Sequence, residues 1–227
     1  MDNTSKTTLA NWVKNMPKIE YDGKNGFYQL RQIDEALIRL KKFLVENDVV
    51  LCPAQEKKVE DFEKKHQIVL PLAYRRFIIE VTDGIDKGKT FSLPKLIDKE
   101  CEGNLSKPFP LKNFWHAEGD SKLQENKELF ESALDEVNNC GQISLDFDEG
   151  LWSLIVSGEC YGEVWNVGNW NIWFFSSMLF PRRDFLSWYE WCIEKKLDIN
   201  NGNEVSDATN EYIPGNFWEK YGEYNRS

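Results

Sequence analysis

The residues with the clearest chemical potential are three carboxylates at one predicted turn, beside a tryptophan-rich segment. Asp146, Asp148 and Glu149 lie within four positions of one another. Glycosidases use two carboxylates that face each other across a gap of roughly 5–10 Å. Three acids crowded at one turn give no sign of such a gap. The sequence therefore favours a solvated, negatively charged turn over a catalytic pair.

Nucleophilic and metal chemistry have less support still. The two histidines, His66 and His116, lie in no recognisable motif. The five cysteines are widely spaced, without the CxxC or Cys–His spacing of a zinc site. The dinucleotide, P-loop, zinc-protease and hydrolase motifs are absent from the sequence. We therefore predict that the protein is not an enzyme and that it uses no metal or cofactor.

The negative charge of the chain is concentrated in its second half. Residues 1–100 carry 18 basic and 16 acidic side chains, whereas residues 101–227 carry 10 basic and 22 acidic ones. The net charge of −10 disfavours direct binding to nucleic acid, which depends on neutralising phosphates. It favours encounter with a basic partner. Solubility alone explains the charge equally well.

The cellular compartment of the protein is predicted from the lack of a signal peptide and of a membrane-spanning segment. The first twenty residues contain no apolar signal-peptide core, and no stretch approaches the roughly 20 apolar residues of a membrane span. An odd number of scattered cysteines suits a reducing compartment. We expect a cytoplasmic protein that does not contact a membrane.

Apolar residues at helical spacing predict the elements that position these side chains. The sharpest case follows Pro71, which suits the first turn of a helix. Tyr74, Phe77, Ile78 and Val81 then recur at i, i+3, i+4 and i+7, and a left-handed cap is expected at Asp83-Gly84. Further helices are predicted over residues 32–47, 55–66, 122–138 and 182–197.

The segment after residue 142 changes to an alternating pattern that predicts strands. The strands are expected at about residues 143–147, 152–156, 162–167 and 171–175, with turns at Glu149-Gly150, Ser157-Gly158 and Gly168-Asn169. Short strands joined by tight turns form a meander. The predicted fold class is therefore α+β, with an antiparallel sheet of about four or more strands packed against helices.

The order of these motifs resembles the SUKH superfamily, which includes bacterial toxin-immunity proteins and a fungal regulator of cell-wall synthesis. The resemblance rests on Leu70-Pro71-x-x-Tyr74-x-x-Phe77-Ile78, the Asp83-Gly84 stop, Gly162-x-Val164-Trp165 and the closing helix. It covers roughly residues 55–197, so we predict a SUKH-like domain there. Residues 1–54 form an N-terminal extension with one amphipathic helix, and residues 198–227 form an aromatic-containing tail.

The resemblance implies a binding protein, and in bacteria an immunity protein that neutralises a secreted polymorphic toxin, often a nuclease. The acidic second half independently suits a basic toxin domain. We expect occlusion of the toxin to be both steric and electrostatic. The candidate partner-binding residues are acids at two hairpin turns and one turn tryptophan: Asp146, Asp148, Glu149, Glu159, Glu163 and Trp170.

Two other functions stay open at this point. A regulatory scaffold would bind signalling or cell-wall enzymes, as the fungal branch of the family suggests, but the short flanks count against it. A carbohydrate-binding protein would stack sugar rings on Trp165, Trp170 or Trp173. The lack of a signal peptide counts against that function.

Overall fold

The computed structural model describes residues 30–86, 92–97, 103–111, 115–116, 127–145, 152–166, 173–176 and 183–200. Five helices lie among these residues: α1 (Leu30–Glu46), α2 (Glu56–His66), α3 (Leu72–Glu80), α4 (Lys127–Asn139) and α5 (Phe185–Asn200). The strands are β1 (Trp115–His116), β2 (Gln142–Ser144), β3 (Trp152–Ile155), β4 (Val164–Asn166) and β5 (Trp173–Ser176). The chain divides into two compact units, Met1–Trp188 and Tyr189–Ser227, with the boundary inside α5. None of the described helices has the length and apolar character needed to cross a membrane.

Helix α1 buries one apolar stripe and packs against α3. Its buried residues are Ile33, Ala36, Leu37, Leu40 and Leu44. Beside them, Lys41 Nζ donates a hydrogen bond to the Glu80 carbonyl at 3.3 Å, and Arg76 pairs with Asp34. The helix that the sequence assigns to an N-terminal extension is therefore packed within the first unit.

The connection between α2 and α3 follows from its residue types. Gln67 adopts a left-handed conformation (φ 53°) that ends α2, and Pro71 precedes the first turn of α3. The expected left-handed cap at Asp83-Gly84 is wrong, because α3 ends at Glu80 and the residue after it is right-handed. Gly84 does have a positive φ of 86°, but it lies in the turn that follows.

The strands pair antiparallel in the order β1-β5-β4-β3-β2. Ser153 of β3 lies opposite Ser144 of β2 on one side and Trp165 of β4 on the other. This arrangement confirms a mixed fold in which an antiparallel sheet accompanies helices. The pairing of β1 with β5 was not among the predicted connections.

The core of the first unit lies between the sheet and the segments that cross it. One buried cluster consists of Phe109, Val137, Ile155, Cys160 and Trp165. The first turns of α5 close a second region, where Phe185 packs on Tyr74 with ring centroids 4.7 Å apart. Trp188 lies 5.7 Å from Trp152 of β3. The first turn of α5 therefore contacts both α3 and β3.

Candidate partner-binding surface

Two of the six predicted partner-binding residues lie in the part of the chain that the structure describes. Glu159 is exposed in the turn between β3 and β4, whereas Glu163, at the end of the same connection, is buried. The turn therefore presents one of its two acids to solvent. The predicted residues outside the described part are Asp146, Asp148, Glu149 and Trp170.

The expectation that Glu163 lies on the surface is wrong. Glu163 is only 5% exposed. Its Oε2 accepts a hydrogen bond from Trp165 Nε1–H at 3.1 Å. Glu163 lies immediately before β4, and Trp165 within β4 is fully buried. A buried indole N–H needs an acceptor, and Glu163 supplies it. Glu163 is therefore a buried partner of Trp165 and is not exposed at the turn.

The turn that carries Glu159 is held to a neighbouring segment by its backbone. Phe109 N–H donates to the Ser157 carbonyl at 2.9 Å, and Ser157 Oγ–H donates to the Ser106 carbonyl at 3.2 Å. Gly158 has a φ of 108°, and a Cβ there would lie 2.9 Å from the backbone nitrogen of Phe109. Only glycine fits this approach. The backbone beside Glu159 is therefore fixed.

A second contact ties the same turn to the segment before α3. Tyr161 Oη–H donates to the Val69 carbonyl at 3.0 Å. Burial raises the pKa of Tyr161, so the hydroxyl stays protonated and can keep donating. The turn is thus held from two sides, by Phe109 and by Val69.

A buried ionic group joins α2 to α3 and positions Val69. The side chain of Arg75 is 2% exposed and lies 3.4 Å from both Glu63 Oε2 and Glu56 Oε1. Leu70 N–H donates to Glu63 Oε1 at 2.9 Å. Burial raises the pKa of Glu63, although the Leu70 N–H and the Arg75 charge act in the opposite direction. These partners satisfy the buried groups, so we interpret the cluster as structural.

Helix α4 contributes acids that the sequence analysis missed. They lie on its exposed side: Glu128, Glu131, Asp135 and Glu136. Asn139 Nδ2–H donates to Asp135 at 2.6 Å, and Lys107 Nζ lies 2.7 Å from Glu136 Oε1, a hydrogen bond that raises the pKa of Lys107. The signal for these acids was the i, i+3, i+7 spacing of residues 128, 131 and 135, opposite the apolar stripe of the same helix.

Hydrogen bonds link a residue just after α4 to the turn that carries Glu159. The carbonyl of Gly141, two residues after α4, accepts hydrogen bonds from Val156 N–H at 2.7 Å and Ser157 N–H at 3.2 Å. The end of α4 and the start of the turn are therefore neighbours in the structure. We call the exposed acids of these two elements the acidic rim: Glu128, Glu131, Asp135, Glu136 and Glu159.

The exposed carboxylates of the acidic rim are suited to contact with basic side chains of another protein. Its carboxylates lie along one helix face and one fixed turn, an arrangement that complements a positively charged protein surface. Among the described residues, no group of three or more His, Cys, Asp or Glu side chains is arranged to hold a metal ion. His66 has a buried Nε2 without a hydrogen-bond partner and packs on the Phe62 ring at 4.5 Å.

Of the three tryptophans proposed for sugar stacking, the structure describes the side chain of only Trp165. Trp165 is 1% exposed, so its ring cannot stack on a sugar from solvent. Trp152 is partly buried and packs near Trp188. Trp170 and the side chain of Trp173 lie outside the described part of the chain. The carbohydrate-binding hypothesis therefore loses one of its three residues.

Comparison of the chain with family models, with curated proteins and with solved structures found no match. The functional assignment therefore depends on the residues of the chain and on their arrangement.

Proposed function

We propose that this chain is an immunity protein that binds and neutralises a cognate secreted toxin with a basic, nuclease-type toxin domain. The observation that carries the proposal is the acidic rim, in which exposed carboxylates of α4 and Glu159 are held on a fixed backbone. The chain acts by binding and not by catalysis. Its partner is the toxin protein, with no direct contact to nucleic acid or to a membrane.

Electrostatic mimicry explains why an acidic surface suits this partner. A nuclease binds phosphates through lysine and arginine side chains. Carboxylates at similar spacing compete for those side chains and speed the encounter of the two proteins. The second half of the chain, residues 101–227, has 22 acidic and 10 basic side chains and supplies the field. The sheet next to the acidic rim supplies the bulk that blocks access of substrate to the toxin.

A SUKH-like fold is part of the proposal. The order of α2, the Leu70-Pro71 connection, α3, an antiparallel sheet and the closing α5 supports it. Tyr161, next to the Gly162-x-Val164-Trp165 motif, bonds to the residue just before Leu70-Pro71, so the two motifs that carry the resemblance are in contact.

We place the protein in a reducing cytoplasm, where it would protect the cell that produces the toxin. No disulfide joins the cysteines that the structure describes, Cys52, Cys140, Cys160 and Cys192, as expected in such a compartment.

The direct test is capture of partners by the tagged chain from its own cells, with washes at low and then high salt and identification by mass spectrometry. The proposal predicts one dominant partner with a basic C-terminal domain, and its retention should fall at high salt because salt screens exposed charges. Co-expression of the chain should then rescue a host from that domain. Many substoichiometric partners would instead indicate a scaffold, and the absence of a protein partner would return attention to sugar binding.

A further inference from the structure

The outer face of α1 combines exposed apolar residues with charges of both signs. Six residues lie on the side opposite the buried stripe: Arg31, Glu35, Ile38, Lys42, Val45 and Glu46. At about 100° per residue they occupy one arc of roughly 100°. Ile38 is 68% exposed and Val45 is 55% exposed. Ile38 and Val45 therefore lie two turns apart on the same exposed face, among the charged residues.

The charges on this face are held in local pairs but remain open to solvent. Arg31 lies 3.5 Å from Glu35, and Lys42 lies 3.8 Å from Glu46. The side chains of Arg31 and Lys42 are 92% and 73% exposed, so each can contact a second carboxylate. Such exposed pairs stabilise a helix only slightly, typically by less than about 1 kcal/mol.

We infer that this face pairs antiparallel with the same face of a second copy of the chain. If the two-fold axis passes beside Ile38, each Ile38 contacts its counterpart. Arg31 then lies opposite Glu46 of the second copy, and Glu35 lies opposite Lys42 of the second copy. Val45 packs on the aliphatic stem of Arg31 from the other chain. The pattern is self-complementary, as a two-fold interface requires.

The charge order selects this occupant over others. A parallel pair in register would place Arg31 against Arg31 and Glu35 against Glu35, which repel. The face carries two basic and two acidic residues, so its charge does not complement a partner that is strongly basic or strongly acidic. The inference goes beyond the proposed function and does not depend on it.

Sedimentation equilibrium of the full chain over a range of concentrations tests the inference. We expect a reversible monomer–dimer equilibrium whose dimer fraction falls as salt is raised. Ile38→Asp should abolish the dimer, because it places two carboxylates at the axis. Val50→Asp is the control, since Val50 is 80% exposed but lies beyond the end of α1. A monomer at every concentration, or a dimer that survives Ile38→Asp, would overturn the inference.

A charge swap tests the antiparallel register. Glu35→Lys and Lys42→Glu should each weaken the dimer roughly tenfold, because each replaces attraction with repulsion across the pair. The double variant should restore the dimer. Residues 35 and 42 are about 10.5 Å apart along one helix, too far for a direct ion pair, so recovery must occur between chains. A double variant weaker than both single variants would contradict the register, provided that thermal unfolding shows all three to be folded.

Discussion

Glu159 and Glu163 lie in one short connection between β3 and β4 but have opposite environments. Glu159 is exposed, whereas Glu163 is buried and accepts the indole N–H of Trp165. The sequence places Glu163 only two residues before Trp165, which is close enough for its carboxylate to reach the indole N–H. The presence of an acid near a turn does not by itself distinguish an exposed glutamate from a buried one. The distinction depends on knowing that Trp165 is buried, and tertiary packing decides this.

The first prediction concerns the hydrogen bond of Glu163. Glu163→Ala should lower the free energy of unfolding by about 1–3 kcal/mol, because it leaves the buried indole N–H of Trp165 without this acceptor. Glu163→Gln keeps an acceptor oxygen and should lose less. Glu159→Ala is the exposed control and should change stability by less than about 0.5 kcal/mol. Urea unfolding of the three variants measures the order, and equal losses at the two glutamates would contradict the account.

The second prediction concerns the pH dependence of His66. Burial lowers the pKa of His66 from its ordinary value of 6.5, and Lys65 adds to the effect. The unfolded chain therefore binds a proton more readily than the folded chain, so this residue contributes stability above pH 6.5 that is lost as the pH falls. Between about pH 7.5 and pH 5, wild type should lose more stability than His66→Gln. Urea unfolding at both pH values tests this, and parallel losses would refute it.

At the scale of elements, apolar spacing predicted the helices well and the sheet less completely. The residues of α2, for example, were expected over 55–66 and are observed over Glu56–His66. A helix is fixed by contacts three and four residues apart, which a sequence displays directly. The pairing of Trp115–His116 with β5 joins segments almost sixty residues apart. No local pattern records such a partner, because strand pairing depends on the whole chain.

The third prediction concerns the junction between α4 and the turn of Glu159. Gly141 has a φ of 62°, and a Cβ there would lie 2.6 Å from the Phe109 nitrogen and 2.8 Å from the Ser157 carbonyl oxygen. Gly141→Ala should therefore cost on the order of 1–3 kcal/mol and displace the turn. Ser144→Ala, at an exposed position of β2, is the control. Thermal unfolding measures the loss, and an alanine at residue 141 without effect would show that the junction is not fixed.

At the scale of the whole molecule, the charge count located the acidic region but not all of its members. The excess of acids after residue 100 was evident from the sequence. The part contributed by α4 was not predicted, because acids on the exposed face of an amphipathic helix look like an ordinary solvated face. The contact of Gly141 with Val156 and Ser157 unites helix and turn, and this follows only from the fold.

The central claim is that the acidic rim recruits a basic partner. The most direct measurement is the association rate of the captured partner with two charge-matched variants. One is Glu131→Lys with Asp135→Lys on the rim, and the other is Glu60→Lys with Asp61→Lys on α2. Both change the net charge equally, so only position distinguishes them.

We predict that the rim variant associates at least about tenfold more slowly than wild type at low salt, and that the difference shrinks at high salt. The α2 variant should lose much less, and both variants should unfold near the wild-type temperature. Equal rates for the rim variant and wild type, or equal losses for the two variants, would contradict the claim that the rim forms the binding surface.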